Sequence, residues 1–196
     1  VCWESHNVIE AAVQSALAAC AANDKIIVWD NNSSLESRNA IASLAKRGEG
    51  NLDVHLHEAN IGFAAANNAA IAMVPKAQFI LTLNPDAILA QGALQMMLDC
   101  LLGDDQLACV GAVQLQQDHA TVDGLGDVYH ASGIAWREAH GRAFDARQTV
   151  QTESTPVFGP CAAAALYRRE AISSVGGFDE DFFCYFEDVD LAFRLR

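Results

Sequence analysis

Between positions 9 and 20 the apolar residues Ile9, Val13, Ala16, Leu17 and Cys20 recur at helical spacing along one face, and Asn23-Asp24 breaks the run. Asn7 followed by Glu10 has capping-box spacing and sets the expected start of this helix. The period then changes. Ile26-Ile27-Val28-Trp29 is a continuous apolar run ending in polar Asp30-Asn31-Asn32-Ser33, the pattern of a strand covered on both faces and followed by a loop. Helical patterns over 35–46, 64–73 and 92–102 alternate with strand patterns over 52–57, 78–83 and 108–115. This order predicts an α/β three-layer sandwich with a mostly parallel central sheet and helices on both faces.

The alternation lapses from 116 to 156. Within that stretch, 126–141 (GDVYHASGIAWREAHG) reads as a small β-ribbon or ordered loop over a site. Small residues 162–165, a short helix over 169–174 and a Gly176-Gly177 turn lead into 178–196. There Phe178, Phe182, Phe183, Tyr185 and Phe186 are interleaved with Asp179, Glu180, Asp181, Glu187, Asp188 and Asp190. Val1-Cys2-Trp3 reads like the tail of a strand, and the amphipathic pattern from Asp188 stops at Arg196 without a helix-ending signal, so a fragment is expected.

A chain of 196 residues suits one domain. The regular alternation ends near 115, dividing the chain into about 1–115 and about 116–196. With 52% hydrophobic and 19% charged residues it should pack a core rather than stay disordered. The apolar runs 69–74 and 161–166 are too short to span a bilayer, so a soluble chain is expected. A net charge of −13 argues against nucleic acid as a partner, because that affinity rests on cationic contacts with phosphates. Six cysteines without CxxC or metal spacing fit a reducing compartment, the cytoplasm by default.

Ligands of such sheets lie outside the carboxyl ends of the strands, which directs attention to the loops 30–34, 58–68 and 84–87. Asp86 closes the third strand after a proline and could share a divalent cation with substrate phosphates; equally, Asn84 and Asp86 could serve only a turn. Asp30 and Asn31 could meet a base or ribose, or else cap the next helix together with Ser33 or Ser34. Gly62-Phe63 permits close backbone approach, and Asn60, Asn67 and Asn68 could face a phosphate or sugar; a tightly packed helix start explains them as well. Trp136, flanked by His130 and His140, could stack on a sugar face. A carboxylate wedged among rings, as Glu187 and Asp188 are, gains proton affinity and can act as a base, although acids at a helix start also simply cap it.

Taken together, DNNS (30–33), NIGFAAANN (60–68), LNPDA (83–87), GPCAAAALYRREAI (159–172) and GGFDEDFFCYFEDVDLAFRLR (176–196), in this order and spacing, resemble the inverting glycosyltransferases of family 2, particularly the rhamnosyltransferase-like bacterial members. The resemblance covers essentially the whole chain. It implies a GT-A fold and transfer of a sugar from a nucleoside-diphosphate-sugar donor to a glycan or lipid-linked glycan acceptor, with inversion and with a divalent metal, Mg or Mn. It further implies work in cell-surface polysaccharide assembly, with peripheral association at the inner membrane face.

On this resemblance Asp188 is the base and Glu187 its support. Asp30, Asn31, Asn60, Gly62, Phe63, Asn67, Asn84 and Asp86 form the donor set, Asp86 is the metal ligand, and Trp136, Gly159 and Asp190 lie on the acceptor side. The sequence departs from the family pattern at Asn84, where an Asp is common, at Asn31 in place of an acid, and at Glu4 where many relatives carry Asn. A sugar-nucleotide nucleotidyltransferase would want a Gly-rich basic loop after the first strand, and Glu4–Asn7 offers none. A non-catalytic carbohydrate- or nucleotide-binding relative is the other alternative, kept open by Asn84. A dehydrogenase is disfavoured by the lack of GxGxxG after any predicted strand.

Overall fold

The computed structural model describes residues 1–45, 51–145 and 154–196. Helix α1 (Ile9–Ala19) is followed by β1 (Ile26–Asp30), α2 (Leu35–Ala45), β2 (Leu52–Leu56), α3 (Phe63–Ala72), β3 (Phe79–Leu83) and α4 (Ala93–Gly103). This is the predicted alternation, with Lys46 of the second predicted helix outside the described residues. Short strands follow: β4 (Cys109–Gly111), β5 (Gln114–Leu115), β6 (Val122–Gly124), β7 (Asp127–Tyr129) and β8 (Ala135–Arg137). The chain closes with β9 (Ala164–Arg168), α5 (Arg169–Ser174) and α6 (Glu187–Arg194).

Two local expectations need correcting. Val8, not Asn7, stands at the start of α1, and no side-chain cap forms. The Ser5 carbonyl instead accepts the N–H groups of Val8 and Ile9, while Glu10 is taken up by Gln14 one turn on. The strand expected over 108–115 is two strands. After pairing with β9 as far as Gly111, the chain leaves it, and Gln114–Leu115 pairs with β6.

The sheet also departs from a single mostly parallel layer. Among the described residues only β1 and β2 pair as parallel strands, extended by a bridge from Cys2 to Asp30. Strand β9 lies antiparallel between β3 and β4, and β5–β6 and β7–β8 are separate antiparallel pairs. Alternating hydrophobicity specifies a strand but not its neighbour, and the returning β9, 80 residues after β3 in sequence, takes the place a parallel strand would have filled. Between β1 and β3 lies a cavity of about 820 Å³, lined in part by Cys2, Val28, Phe79, Leu81 and Leu94.

The core that carries the site gathers Ala64 of α3, Ile80 of β3, Ala165 and Tyr167 of β9, Ile172 of α5, Phe178, and Leu191 of α6. Burial of these apolar surfaces supplies the main force holding α3, β3, β9 and α6 together. A second cluster, Cys2, Ile9, Val13, Val28, Ile41 and Leu44, packs α1 and α2 against β1. All six cysteines are free thiols. Among the described residues no helix is long and apolar enough to cross a membrane.

Candidate functional site

The loop after β1 is built inward. Asp30 is fully buried; its carboxylate accepts the Ser33 N–H at 3.3 Å and faces the Arg38 guanidinium at 3.6 Å. Asn31 is consumed by the second loop: its Nδ2 donates to Asn60 Oδ1 at 2.8 Å and to the Gly62 carbonyl at 3.1 Å, while its Oδ1 accepts Ile61 N–H at 3.1 Å. Four bonds would have been available to the amide, and these three fix the shape of 60–62. Glu4 caps α2: it accepts bonds from the Ser34 N–H and hydroxyl and from the Ser37 hydroxyl at 3.0 Å. Those bonds hold its carboxyl below the usual range.

Gly62 adopts φ +84° where the chain passes the 178–186 segment, and Phe63 N–H donates to the Phe183 carbonyl at 2.6 Å. A Cβ at Gly62 would stand 2.5 Å from that same oxygen, so glycine is required by both conformation and space. Asn67 turns back within its helix, donating to the Phe63 carbonyl at 2.9 Å. Asn68 reaches out and holds the Phe178 backbone. Residues 60–68 therefore join the first half of the chain to the acid-rich segment.

Two consecutive residues with positive φ, Tyr185 at 72° and Phe186 at 69°, launch α6. Such backbone costs of order 1 kcal/mol per residue or more and persists where surrounding packing imposes it. Glu187 is buried, and among the described residues its Oε2 has no hydrogen-bond partner. Burial pushes its carboxyl up to about 7, with the nearby Asp188 charge adding to the shift. Asp188, half-buried, is held by two backbone donors: Ala162 N–H to Oδ2 at 3.0 Å and Val189 N–H to Oδ1 at 2.9 Å.

The turn at 161–163 is where the elements meet. Ala162 holds Asp188, and the carbonyl of its neighbour Ala163 accepts the Asn84 N–H at 2.9 Å, at the start of the Asn84-Pro85-Asp86 turn after β3. Asp86 is exposed and, among the described residues, its carboxylate has no hydrogen bond or ion pair. Among the same residues no three His, Cys, Asp or Glu side chains cluster as a metal site. A lone free carboxylate at this sheet edge fits a cation that takes its remaining oxygens from a diphosphate and water.

One turn further along the same face of α6, Gly159 packs so closely that a Cβ there would stand 2.3 Å from the Cβ of Ala192. Asp127 of β7 pairs with Gly159 through its backbone and with Arg137 across the β7–β8 ribbon. Trp136, on that ribbon and about half exposed, borders a 520 Å³ hollow with Arg137, His140 and Arg142. Asp190 is not brought to this point: it pairs with Arg194 at 2.7 Å, and Arg194 in turn holds the carbonyls of Val175 and Gly177. Asp127 is absent from the sequence-based set, since an isolated acid in an irregular stretch gave no periodic signal; only its burial marks it.

The sequence model of glycosyl transferase family 2 matches residues 1–176. The chain belongs to glycosyl transferase family 2. It is 25% identical over 155 residues to an N-acetylglucosaminyl-diphospho-decaprenol L-rhamnosyltransferase of Mycobacterium tuberculosis, covering 70% of this chain and 50% of that protein. The chain thus spans about half the length of the curated relatives it matches.

Among solved structures it resembles a mannosyltransferase from Pyrobaculum calidifontis in complex with GDP-Man and Mn²⁺, with a TM-score of 0.71 and 16% identity over 99% of this chain and 49% of that one. It also resembles GalNAc-T7 with UDP, GalNAc and Mn²⁺, with a TM-score of 0.73 and 13% identity over 96% of this chain and 37% of that one. These likenesses establish the glycosyltransferase fold. The family match ends at residue 176, before Glu187 and Asp188, so the base assignment rests on geometry and motif.

Proposed function

We propose that this family 2 domain transfers a sugar from a nucleoside-diphosphate-sugar donor to a hydroxyl of a glycan or lipid-linked glycan, with inversion at the anomeric carbon. The observation that carries this reading is the 161–163 turn, which ties Asp188 and the Asn84-Pro85-Asp86 turn to adjacent residues. A candidate base and a candidate diphosphate-end carboxylate thereby flank one location.

In this reading Asp188 removes the proton of the acceptor hydroxyl as its oxygen bonds to the anomeric carbon. The bond to the diphosphate breaks on the opposite face, and its electron pair leaves with the nucleotide, through an oxocarbenium-like transition state. The Ala162 and Val189 N–H groups hold the carboxylate in place. Loop 60–63, braced by Asn31, shapes the donor side, and Asp86 would hold Mg²⁺ or Mn²⁺, which when bound offsets charge on the departing diphosphate. The rhamnosyltransferase relative supports a bacterial cell-surface glycan as the product and rhamnose as the first sugar to try. We place the protein at the inner face of the membrane, where a lipid-linked acceptor would be met.

The test is calorimetric titration of the protein with UDP, dTDP and GDP in Mn²⁺, Mg²⁺ or EDTA, repeated on Asp86→Ala, followed by a transfer assay with the matching sugar nucleotides. Metal-dependent binding of one nucleotide, lost in Asp86→Ala, is the expected result. Equal binding by the variant, or binding of none, sinks the donor-site assignment.

A further inference from the structure

The Asp127 carboxyl belongs to none of the groups used above. It is 7% exposed, on the strand of the β7–β8 ribbon that faces Gly159. Its N–H donates to the Gly159 carbonyl at 2.8 Å, and Gly159 touches Ala192, one helical turn beyond Asp188 on the same face of α6. From the other side Arg137, opposite Asp127 in the ribbon, reaches Cys161, the residue before the Ala162 that holds Asp188, so both acids sit around one segment, 159–162.

The other polar groups facing this point are few. Arg137 stands opposite Asp127 in the ribbon but is shared: it pairs with Asp123 of β6, and its Nη2 donates to Cys161 Sγ at 3.1 Å. His140 is bound to the same Asp123, donating from Nδ1 to its carbonyl at 2.8 Å. The Cys161 thiol is pushed up to about 11 by burial and stays neutral. The Tyr167 hydroxyl, fully buried and without a hydrogen-bond partner among the described residues, is likewise neutral.

We infer that Asp127 is a positioning residue of the transfer reaction, whose charge state, acting through Asp188, sets how readily the base takes the acceptor's proton. This rests on the transferase reading and on Asp188 as its base. Neighbouring carboxylates resist simultaneous ionisation, and burial adds to the resistance. The Asp127 carboxyl is accordingly raised to about 7, by burial first and the Asp188 charge second, with Arg137 opposing. Below that pH Asp127 is neutral. Above it, a negative charge behind Asp188 makes proton capture by the base more favourable, so the transfer rate rises through neutral pH.

Two arms test this on the protein. The first follows the Asp127 side-chain carboxyl by ¹³C NMR from pH 4 to 9, without any substrate. Titration near 7 is expected, moving down in Asp188→Asn and up in Arg137→Gln. The second compares transfer rates of the unmodified protein and Asp127→Asn across the same pH range. The variant should keep nucleotide affinity, lose the rise through pH 7, and fall on the order of tenfold in kcat at pH 8.

An Asp127 that titrates as an ordinary carboxylate, or ignores Asp188→Asn, overturns the inference. So does an Asp127→Asn enzyme with an unchanged pH profile. Should that variant fail to fold, the NMR shifts in the other two decide. Absence of transfer by the unmodified protein with every donor overturns the transferase reading instead, while the titration still reports whether the two carboxyls are coupled.

Discussion

The side-chain amide of Asn68 on α3 and the backbone of Phe178 exchange two hydrogen bonds, Nδ2 to the Phe178 carbonyl at 2.8 Å and Phe178 N–H to Oδ1 at 2.9 Å. The same Nδ2 also reaches Glu180 Oε1 at 2.9 Å. One side chain of α3 thus fastens the start of the segment that delivers Glu187 and Asp188. Asn68→Asp replaces the donor with a carboxylate aimed at a carbonyl and at Glu180. Leaving such groups unpaired costs about 1–3 kcal/mol, and that loss is expected in urea unfolding. Asn68→Ala should lose a similar amount without the added charge repulsion.

Gly62 makes the second fastening. An alanine there would hold φ +84° unfavourably and press its Cβ against the Phe183 carbonyl and ring, at 2.5 and 2.8 Å. Overpacking of this kind costs about 1–3 kcal/mol. Because Asn31 binds the same loop, displacement should also reach the donor side. Gly62→Ala is expected to lower nucleotide affinity by roughly tenfold at a temperature where it remains folded, the scale of a 1.4 kcal/mol loss. A variant that unfolds earlier but binds nucleotide normally would restrict Gly62 to a packing role.

These contacts mark the limit of what the sequence carried. The helices and the strands of the first half were readable because their periodicity is local, and the polar loops at 30–33, 60–63 and 84–86 stood out against apolar runs. The antiparallel place of β9 was not readable, since it depends on which edge of β3 a segment 80 residues later finds. Asn31 and Asn68 looked like ligand contacts by residue type, whereas their amides satisfy backbone groups across the chain. Asp127 could be recognised only once burial and its neighbours were known.

Glu187 gives a pH prediction. Its folded carboxyl, raised to about 7, holds a proton that the unfolded chain releases near the ordinary value of 4.5. Between those pH values the native state binds more protons, so stability falls as pH rises from about 4.5 to 7 and then levels off as far as this group is concerned. Glu187→Gln removes that slope. The variant should be more stable than the parent at pH 8, by on the order of 2 kcal/mol, and nearly equal to it at pH 4. Urea unfolding at the two pH values measures this, and equal differences at both would mean that Glu187 is not a buried acid of raised proton affinity.

Asn84 tests the metal end. It begins the turn that presents Asp86, and its backbone is anchored on both sides, N–H to the Ala163 carbonyl at 2.9 Å and carbonyl to the Ala87 N–H at 3.1 Å. Asn84→Asp keeps this frame and nearly the same volume while adding a second carboxylate two residues before the first. Hard divalent cations gain from each added anionic oxygen, so if Asn84 borders the cation, Mn²⁺ affinity in the presence of the bound nucleoside diphosphate should tighten by roughly tenfold. Asp86→Ala should lose it, and the double variant should recover part of the loss. Titration of Mn²⁺ by its paramagnetic resonance signal reads this directly. An unchanged affinity in Asn84→Asp would place Asn84 away from the cation.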